Sequence, residues 1–221
     1  MTSAVTVALA LLERLGDARI RDEMGPRYGI HVTKAFGVSM GDMKRLAKGL
    51  GRNHELALGL WMTGWYEARM LATLIDEPLR VSTAQMNRWC RDFDNWGICD
   101  TACFVLFDRT PLAWTRVAPW CRSRGEFERR AGFALLACLA LHDKQAPNPP
   151  FLAGLHLVER YATDDRNFVK KGVSWALRAI GRRNVALRAE ATAVATRLAA
   201  STEAAGRWVG KDALRDLKKK G

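Results

Sequence analysis

Several features that mark metalloproteins, membrane proteins and β-sheet proteins are missing from this sequence. Its five cysteines include no Cys-x-x-Cys pair, and its four histidines are scattered, so no metal-ligand spacing is present. No apolar run is long enough to span a bilayer, and no segment alternates for long at the two-residue period of a strand. These absences predict an all-α protein with no membrane association, no metal site and no cofactor.

The cysteines and the amino end favour the reducing cytoplasm as the location. Most of the cysteines lie in apolar helical runs, where a free thiol behaves as a small hydrophobic side chain; they are Cys90, Cys99, Cys103, Cys121 and Cys138. The apolar stretch 4–12 has no basic segment before it, and charged residues follow it at once. A short packed helix is therefore expected there rather than a signal peptide.

Acidic residues are scarce beside basic ones. The chain has 35 Lys and Arg against 23 Asp and Glu, a formal net charge of +12 and a pI near 10.0. This excess favours a polyanionic partner, nucleic acid first and an anionic membrane surface second. A soluble protein that is merely basic is the alternative. With 221 residues, 48% of them hydrophobic, the chain can bury one sizeable core or two small ones.

Turn and cap signals divide the chain into helices that follow one another closely. Helices are predicted over residues 3–24, 40–50, 54–61, 66–75, from Ser82 or Thr83 towards Phe93, from Asp94 or Asn95 to near Thr110, 112–121, 127–141, 152–162, 168–180 and 185–200, followed by a basic end through Lys220. The Pro-Asn-Pro-Pro stretch 147–150 is the clearest break. We interpret it as a loop within a single domain that spans residues 1–221.

A faint internal repeat indicates how the helices stack. Tyr66, Phe127 and Phe168 each begin a helix three residues before a basic side chain, and the last two are 41 residues apart. HEAT-type helical repeats are roughly 40–47 residues long. The expected fold is therefore all-α, an α-solenoid of HEAT-like antiparallel helix pairs whose curved, concave basic surface would suit duplex DNA.

One predicted helix places a single acid in an apolar stripe. Trp96 and Asp100 are four residues apart and share a face that continues to Phe104 and Phe107. A carboxylate buried there is costly unless it is paired or used. We expect Asp100 to be functional; a structural carboxylate satisfied by backbone amides or arginine is the alternative, as is a core position for Trp96.

The helix from Phe168 separates an apolar side from a basic one. The basic side carries Lys171, Trp175, Arg178 and Arg182, opposite the positions that should face the core. A DNA-facing helix needs cations for phosphates and a flat ring for a base or sugar. The alternative is that Trp175 packs against a neighbouring repeat.

Two further basic residues lie at the start of a predicted helix whose other residues are apolar on nearly every side. Arg129 and Arg130 lie in the first turn of the 127–141 helix. A partly buried guanidinium requires an anion, either a carboxylate such as Asp100 or a backbone phosphate. A structural ion pair is the alternative for Arg130.

Three stretches together resemble the AlkD branch of the DNA alkylation-repair glycosylases: residues 95–100 (NWGICD), 128–131 (ERRA) and 168–178 (FVKKGVSWALR). The likeness extends from about Tyr28 to the end. It implies a HEAT-like solenoid that hydrolyses the N-glycosidic bond of cationic alkylated purines, such as N3-methyladenine and N7-methylguanine, in duplex DNA. Enzymes of this branch are reported to cleave without drawing the lesion into a pocket, unlike base-flipping glycosylases.

The resemblance also implies roles for individual residues. Trp96 is similar to the motif tryptophan, Asp100 to the catalytic aspartate, Arg130 to the active-site arginine and Trp175 to the second lesion-flanking tryptophan. Asp100 would stabilise an oxocarbenium-like deoxyribose and orient water, while the two tryptophans bracket the cationic nucleotide. A monomer bound to alkylated duplex DNA is expected. The expected DNA-binding residues are Lys171, Arg178, Arg182, Arg129 and Lys170.

The sequence departs from that branch in two places, and both bear on substrate range. Where some members have a tyrosine on an amino-terminal helix, the nearest match here, at residues 21–24, offers Glu23. The 147–150 loop lengthens the gap between Arg130 and Trp175.

Three other functions are weighed against excision. One is a non-catalytic nucleic-acid-binding solenoid in which Asp100 and Arg130 merely pair. Another is a helical-repeat scaffold for an acidic protein. A hydrolase that uses Cys99 or Cys103 as its nucleophile lacks a suitably placed histidine.

Overall fold

The computed structural model describes residues 3–219, which contain thirteen α-helices and no β-strand. Asparagine caps begin several helices: Asn53, Asn95 and Asn184 each accept a hydrogen bond from the backbone N–H three residues on. Within this range no helix is long and apolar enough to cross a bilayer. The helices are α1 (Ser3–Arg14), α2 (Ala18–Tyr28), α3 (Met40–Leu50), α4 (His54–Met62), α5 (Tyr66–Ile75), α6 (Thr83–Arg91), α7 (Trp96–Val105), α8 (Ala113–Cys121), α9 (Glu126–His142), α10 (Asn148–Tyr161), α11 (Asn167–Gly181), α12 (Val185–Ala199) and α13 (Ala204–Lys218).

The chain folds as two compact units. The first contains the residues up to Met86 together with Asp94–Thr110, and the second contains Asn87–Phe93 and the residues from Pro111 onwards. Helix α6 begins in the first unit and ends in the second. That the chain acts as one domain over residues 1–221 stays a prediction.

Helix α5 is the centre of the first unit. It packs against α3, α4 and α7 and is buried along most of its length. One of its buried residues is an acid, Glu67, whose carboxylate accepts the backbone N–H groups of Phe36 and Gly37 at 2.9 and 2.8 Å. These charge-assisted hydrogen bonds satisfy the buried charge and tie the segment before α3 to the core.

Helices α9 and α11 are the centre of the second unit. Helix α9 is buried continuously from Arg130 to Ala140 and packs against α8, α10 and α11, while α11 also packs against α12 and α13. Gly132 allows α8 to approach closely, since a Cβ there would lie 2.4 Å from the backbone nitrogen of Cys121. Helices close in sequence thus pack together, as in helical-repeat proteins.

Two predicted segments are wrong. Residues 3–24 form two helices, because Asp17 caps α2 by accepting the Arg19 N–H at 2.8 Å and Gly16 lies where a Cβ would be 2.7 Å from the Phe36 carbonyl. The 147–150 stretch is not a loop but the start of α10, with Pro147 as its N-cap. Prolines are tolerated there because the first N–H groups of a helix have no intrahelical partner.

The carboxyl-terminal part of the chain and one helix end also differ from expectation. Helix α7 ends at Val105 and a 3-10 turn, Phe107–Arg109, follows it. The basic carboxyl end forms an additional helix, α13, while Lys220 lies outside the described residues. The predicted helix 152–162 begins four residues earlier, at Asn148, and the remaining predicted helices are confirmed to within a residue or two at each end.

Candidate functional site

Helix α7 begins at an asparagine cap and buries a side made mostly of small residues. The cap is Asn95 rather than Asp94, since the Asn95 Oδ1 accepts the Ile98 N–H at 3.0 Å. The buried positions of the helix are Gly97, Ile98, Cys99, Ala102 and Cys103. The small residues among them let α7 lie close against α5, while Ile98 is the one large side chain of the helix that is fully buried.

The stripe that contains Asp100 is on the accessible side of α7. Trp96 and Asp100 are half-buried, Phe104 is 40% exposed, and Phe107 is buried in the 3-10 turn that follows. The expectation that Asp100 lies in a buried apolar stripe is therefore wrong. The regular helix ends before Phe107, so that ring does not continue the stripe. Asp100 keeps access to solvent one turn after Trp96.

The orientation of Trp96 is set by a hydrogen bond to another helix. Its Nε1 donates to the carbonyl oxygen of Tyr28 at 2.8 Å. Tyr28 is the last residue of α2, and Gly29 after it adopts the left-handed conformation (φ 63°) that ends many helices. The backbone of Tyr28 thus holds Trp96, and the Tyr28 side chain itself is exposed. The sequence pattern at residues 21–24 did not indicate this tyrosine.

A cavity of about 440 Å³ opens beside Trp96 within the first unit. Its walls are largely apolar and include Tyr28 and Met24. Glu23, the residue found where a tyrosine was sought, also lines it and is held by Arg27 at 2.9 Å. The cavity therefore combines aromatic and aliphatic walls with two carboxylates, those of Glu23 and Glu67.

Gly97 brings α7 against the start of α5. A Cβ at this position would lie 2.7 Å from the hydroxyl oxygen of Tyr66 and 3.2 Å from Cδ1 of Ile30. Burial raises the pKa of Tyr66 above its ordinary value, and the charges of Glu67 and Asp94 add to the effect. The Tyr66 hydroxyl therefore stays protonated at neutral pH.

Arg130 is held against α11 in the second unit. It is 6% exposed, and its Nη1 donates to the carbonyl oxygen of Phe168 at 2.6 Å. Gly172 makes room for the arginine, since a Cβ there would lie 3.4 Å from the Arg130 Cγ. Arg130 is thereby fixed on the first turns of the helix that carries Trp175.

Arg129 belongs to a cluster with an acid. Its Nη1 binds Asp164 at 2.5 Å, its guanidinium lies 4.7 Å from the centroid of the Tyr161 ring, and Arg166 binds Asp164 at 2.6 Å. Burial alone would raise the pKa of Asp164, but hydrogen bonds from Arg166 and Arg129 outweigh it and lower the pKa to about 2. Asp164 thus supplies Arg129 with an anion, and DNA binding by Arg129 stays a prediction.

The two sides predicted for α11 are confirmed by burial. Val173 and Leu177 are fully buried, whereas Lys171 is exposed and Trp175 and Arg178 are half-buried. A tryptophan on the accessible side is positioned to meet a ligand as well as a neighbouring helix. Its role beside DNA stays a prediction.

Two of the predicted DNA-binding residues, Arg178 and Arg182, form ion pairs with carboxylates of α13. The sequence did not predict these ion pairs. Arg178 Nε lies 3.6 Å from Asp212 Oδ2, and Arg182 binds Asp216. Ser174 donates a hydrogen bond to Asp212 at 2.6 Å. The charges of these arginines are therefore partly neutralised within the protein.

A further aromatic residue lies near Lys170. The Lys170 Nζ is 5.3 Å from the centroid of the Trp208 ring, and Trp208 lies on the exposed side of α13. Sequence reasoning missed Trp208 because the basic carboxyl end was not treated as an amphipathic helix. The spacing of Trp208, Lys211 and Arg215 carried that signal.

Neither a thiol nucleophile nor a metal centre is supported by the described residues. None of the five cysteines forms a disulfide and all are buried. Cys99 and Cys103 are fully buried, which keeps their thiols away from a substrate. Across residues 3–219 no group of three or more His, Cys, Asp or Glu side chains is placed to hold a metal ion.

The four residues of the expected site fall into both units. Trp96 and Asp100 share one side of α7 in the first unit, while Arg130 and Trp175 are tied to α11 in the second. Each pair is built by its own unit. That the four form a single site stays a prediction.

The matched range of a family model covers both pairs. The model for the DNA alkylation repair enzymes matches residues 8–217, nearly the whole chain. The chain belongs to this family. Within the DNA alkylation repair enzymes, the basic composition of this member indicates DNA as the partner.

The fold of this DNA alkylation repair family member is shared with a solved structure. The two agree with a TM-score of 0.77 at 24% identity, over 87% of this chain and 82% of the other. That protein is described as one of a new family related to the HEAT-like repeat DNA glycosylases, with affinity for branched DNA structures. The likeness confirms the predicted all-α, HEAT-like fold. No curated protein matches the chain.

Proposed function

We propose that this DNA alkylation repair family member is a glycosylase that excises cationic N-alkylated purines, such as N3-methyladenine and N7-methylguanine, from duplex DNA. The observation that carries the proposal is the placement of Trp96 and Asp100 together on the accessible side of α7. A carboxylate beside a half-buried indole, in a protein of net charge +12, suits a cationic site on an anionic polymer.

The substrate supplies most of the driving force for this reaction. An N-alkylated purine already carries a positive charge, so its glycosidic bond breaks without a strong general acid. The electron pair of the C1′–N bond leaves with the base, which becomes neutral, and the deoxyribose becomes oxocarbenium-like. Water then adds at C1′ and releases a proton. The protein must therefore stabilise positive charge on the sugar.

Asp100 is the residue we propose for that role. Its carboxylate would lie beside C1′, stabilise the developing charge and orient the attacking water. Asp100 is half-buried on the accessible side of α7. The chemistry requires the carboxylate form, because a negative charge is what stabilises positive charge on the sugar.

The aromatic residues would hold the damaged nucleotide. Electron-rich ring faces attract a cationic base by roughly 0.5–2 kcal/mol. Trp96 offers a ring that is fixed by its hydrogen bond to Tyr28, and Trp175 offers a second ring from α11. From the amino-terminal helix α2 we assign the aromatic side chain of Tyr28 to this site. Glu23 is not assigned to it.

The phosphate contacts would come from α9 and α11. Lys171 is exposed and is the strongest candidate. Arg178 and Arg182 must exchange carboxylates of α13 for phosphates before they contribute fully. Arg130, held on the Phe168 carbonyl, would contact the phosphate beside the lesion.

Release of free methylpurine from methylated duplex DNA tests the proposal directly. Asp100→Asn should slow release roughly 100-fold, the usual loss for removal of one electrostatic group. Its affinity for DNA should stay within about threefold of wild type, because Asp100 makes no favourable phosphate contact and its loss changes the net charge by only one. Asp165→Asn, which removes an exposed acid of the second unit, is the matched control and should release base normally. Wild-type release by Asp100→Asn would refute the mechanism.

A non-catalytic DNA-binding role is the second candidate. It is favoured by the affinity of the structurally similar protein for branched DNA. The same assay decides between the two, since a protein of this kind would bind methylated duplex and release no base from it.

A further inference from the structure

Helix α13 exposes a tryptophan on a basic side. All eight tryptophans lie within the described residues. Trp208 is the most exposed of them, with 37% of its surface accessible. A large aromatic side chain contributes little to the stability of the fold from an exposed position, because most of its stabilising contribution comes from burial. Core packing therefore does not account for it.

The residues that share this side of α13 are cations. Lys211, Arg215 and Lys218 follow Trp208 at helical spacing and are exposed, while Val209 and other apolar positions face the core. Of the acidic residues of the helix, Asp216 binds Arg182. Asp212 lies 3.6 Å from Arg178 and also binds Arg215, which partly neutralises that arginine and leaves the lysines as the main cations of this side. The exposed side of α13 is consequently positive.

Helix α11 adds two lysines to the same surface. Lys170 places its Nζ 5.3 Å from the Trp208 centroid, and Lys171 next to it is exposed. Lys170 therefore lies over one face of the indole, while 37% of the Trp208 surface is accessible. We call Trp208, Lys170, Lys171 and Lys211 the α11–α13 platform.

We propose that the α11–α13 platform binds a single-stranded segment of DNA, with an unpaired base stacked on Trp208 and lysines neutralising the adjacent phosphates. An exposed indole flanked by lysines is the combination that single-strand binding surfaces use. In an intact duplex the base faces are already stacked on one another, so Trp208 favours DNA that exposes unpaired bases. The inference takes DNA as the ligand from the proposed function but does not depend on base excision.

Binding to a labelled blunt duplex and to the same duplex with a single-stranded extension tests the platform. The wild type should bind the extended DNA more tightly. Trp208→Leu should weaken binding to the extended DNA roughly 5- to 100-fold, the range for loss of one stacked base, and leave the blunt duplex nearly unchanged. Trp208→Phe should recover part of the loss.

The lysines are tested by salt dependence. Lys170→Gln should reduce the slope of log affinity against log salt by about 0.7 for the single-stranded extension, as expected for one lost phosphate contact. Lys144→Gln removes one exposed lysine outside both helices and should leave the slope unchanged. An equal effect of the two variants would overturn the role of Lys170.

Failure of this inference is distinguishable from failure of the proposed function. Equal loss of blunt and extended binding in Trp208→Leu, or no loss in either, overturns the platform even if methylpurine is released normally. A wild type that prefers extended DNA through Trp208 but releases no methylpurine supports the platform and refutes the glycosylase. Unfolding temperatures of all variants verify that they fold.

Discussion

The indole of Trp96 is anchored to the backbone of α2 through its 2.8 Å hydrogen bond to the Tyr28 carbonyl. The bond does two things at once. It satisfies a carbonyl at the end of a helix, where intrahelical donors run out, and it prevents the ring from turning without loss of the bond. A residue 68 positions away in the chain thus fixes the ring beside Asp100.

Trp96→Phe keeps an aromatic ring but removes this donor. We expect the free energy of unfolding to fall by about 0.5–1.5 kcal/mol, and base release under single-turnover conditions to slow about 10-fold because the ring is no longer held in place. Trp114→Phe is a matched control, since Trp114 Nε1 donates to Asp143 at 2.9 Å in the second unit. It should lose similar stability and release base at the normal rate. Equal rates for both variants would contradict the assignment.

Gly97 is required by the approach of α7 to α5. Gly97→Ala should lower the free energy of unfolding by about 1–3 kcal/mol, because the new methyl group would meet the Tyr66 hydroxyl at 2.7 Å. Adding Tyr66→Phe removes that oxygen, so the double variant should be more stable than the sum of the two single effects. Urea unfolding of the four proteins measures the coupling. Strict additivity would show that the clash lies elsewhere.

A second glycine separates this clash from the intrinsic effect of the substitution. Gly49 lies inside α3 with nothing within 4 Å of a Cβ placed there. Gly49→Ala should therefore raise the free energy of unfolding by about 0.5–1 kcal/mol through helix propensity alone. We therefore expect the free energy of unfolding to fall in Gly97→Ala and to rise in Gly49→Ala.

The cluster around Asp164 makes stability depend on acid pH. The pKa of Asp164 is lowered from 3.8 to about 2 by Arg166 and Arg129, so the unfolded chain binds the proton more readily than the folded one. The contribution is complete above about pH 4 and is lost as the pH falls towards 2. Asp164→Asn should cost about 1–2 kcal/mol at pH 7, and the difference from wild type should shrink over that range. Urea unfolding at several pH values measures this.

The exposed neighbour of that acid serves as its control. Asp165→Asn should change the free energy of unfolding by less than about 0.5 kcal/mol at any of these pH values. A difference for Asp164→Asn that does not vary with pH would show that the aspartate acts through packing rather than charge.

Local signals in the sequence predicted much of the fold. The cap at Asn95 and the two sides of α11 depend on residues within a few positions of one another, and burial and cap geometry confirm them. The helix starts at Tyr66, Phe127 and Phe168 were recognisable for the same reason.

Contacts between distant residues account for what the sequence did not show. Tyr28 meets Trp96 across 68 positions, and Asp212 meets Ser174 across 38. No helical period encodes either pairing. The burial of Asp100 was overestimated because the periodicity was continued to Phe107, beyond the point where the regular helix ends. The sequence therefore indicated which residues are candidates for the site. The distant residues that contact them were recognisable only in the structure.

Asp216 holds cations that DNA would otherwise use. It binds Arg182 and lies 4.0 Å from Nη1 of Arg178. Asp216→Asn should release Arg182 and loosen Arg178, which keeps its contact with Asp212. Affinity for a methylated duplex should therefore rise roughly two- to fivefold at low salt. The slope of log affinity against log salt should steepen by up to about 0.9 for each arginine that reaches a phosphate. Fluorescence anisotropy across a salt series measures both quantities.

Removal of any acidic residue makes the protein more positive and so favours DNA binding. The rise in affinity caused by Asp216→Asn must therefore exceed the rise caused by removing an acidic residue that pairs with neither arginine. Glu190→Gln removes an exposed acid of α12 and should strengthen binding only slightly, because a distant charge is screened beyond about 10 Å. The specific prediction is therefore the difference between the two variants. Weaker binding by Asp216→Asn would mean that the carboxylate orients Arg178 and Arg182 towards DNA instead of competing with it.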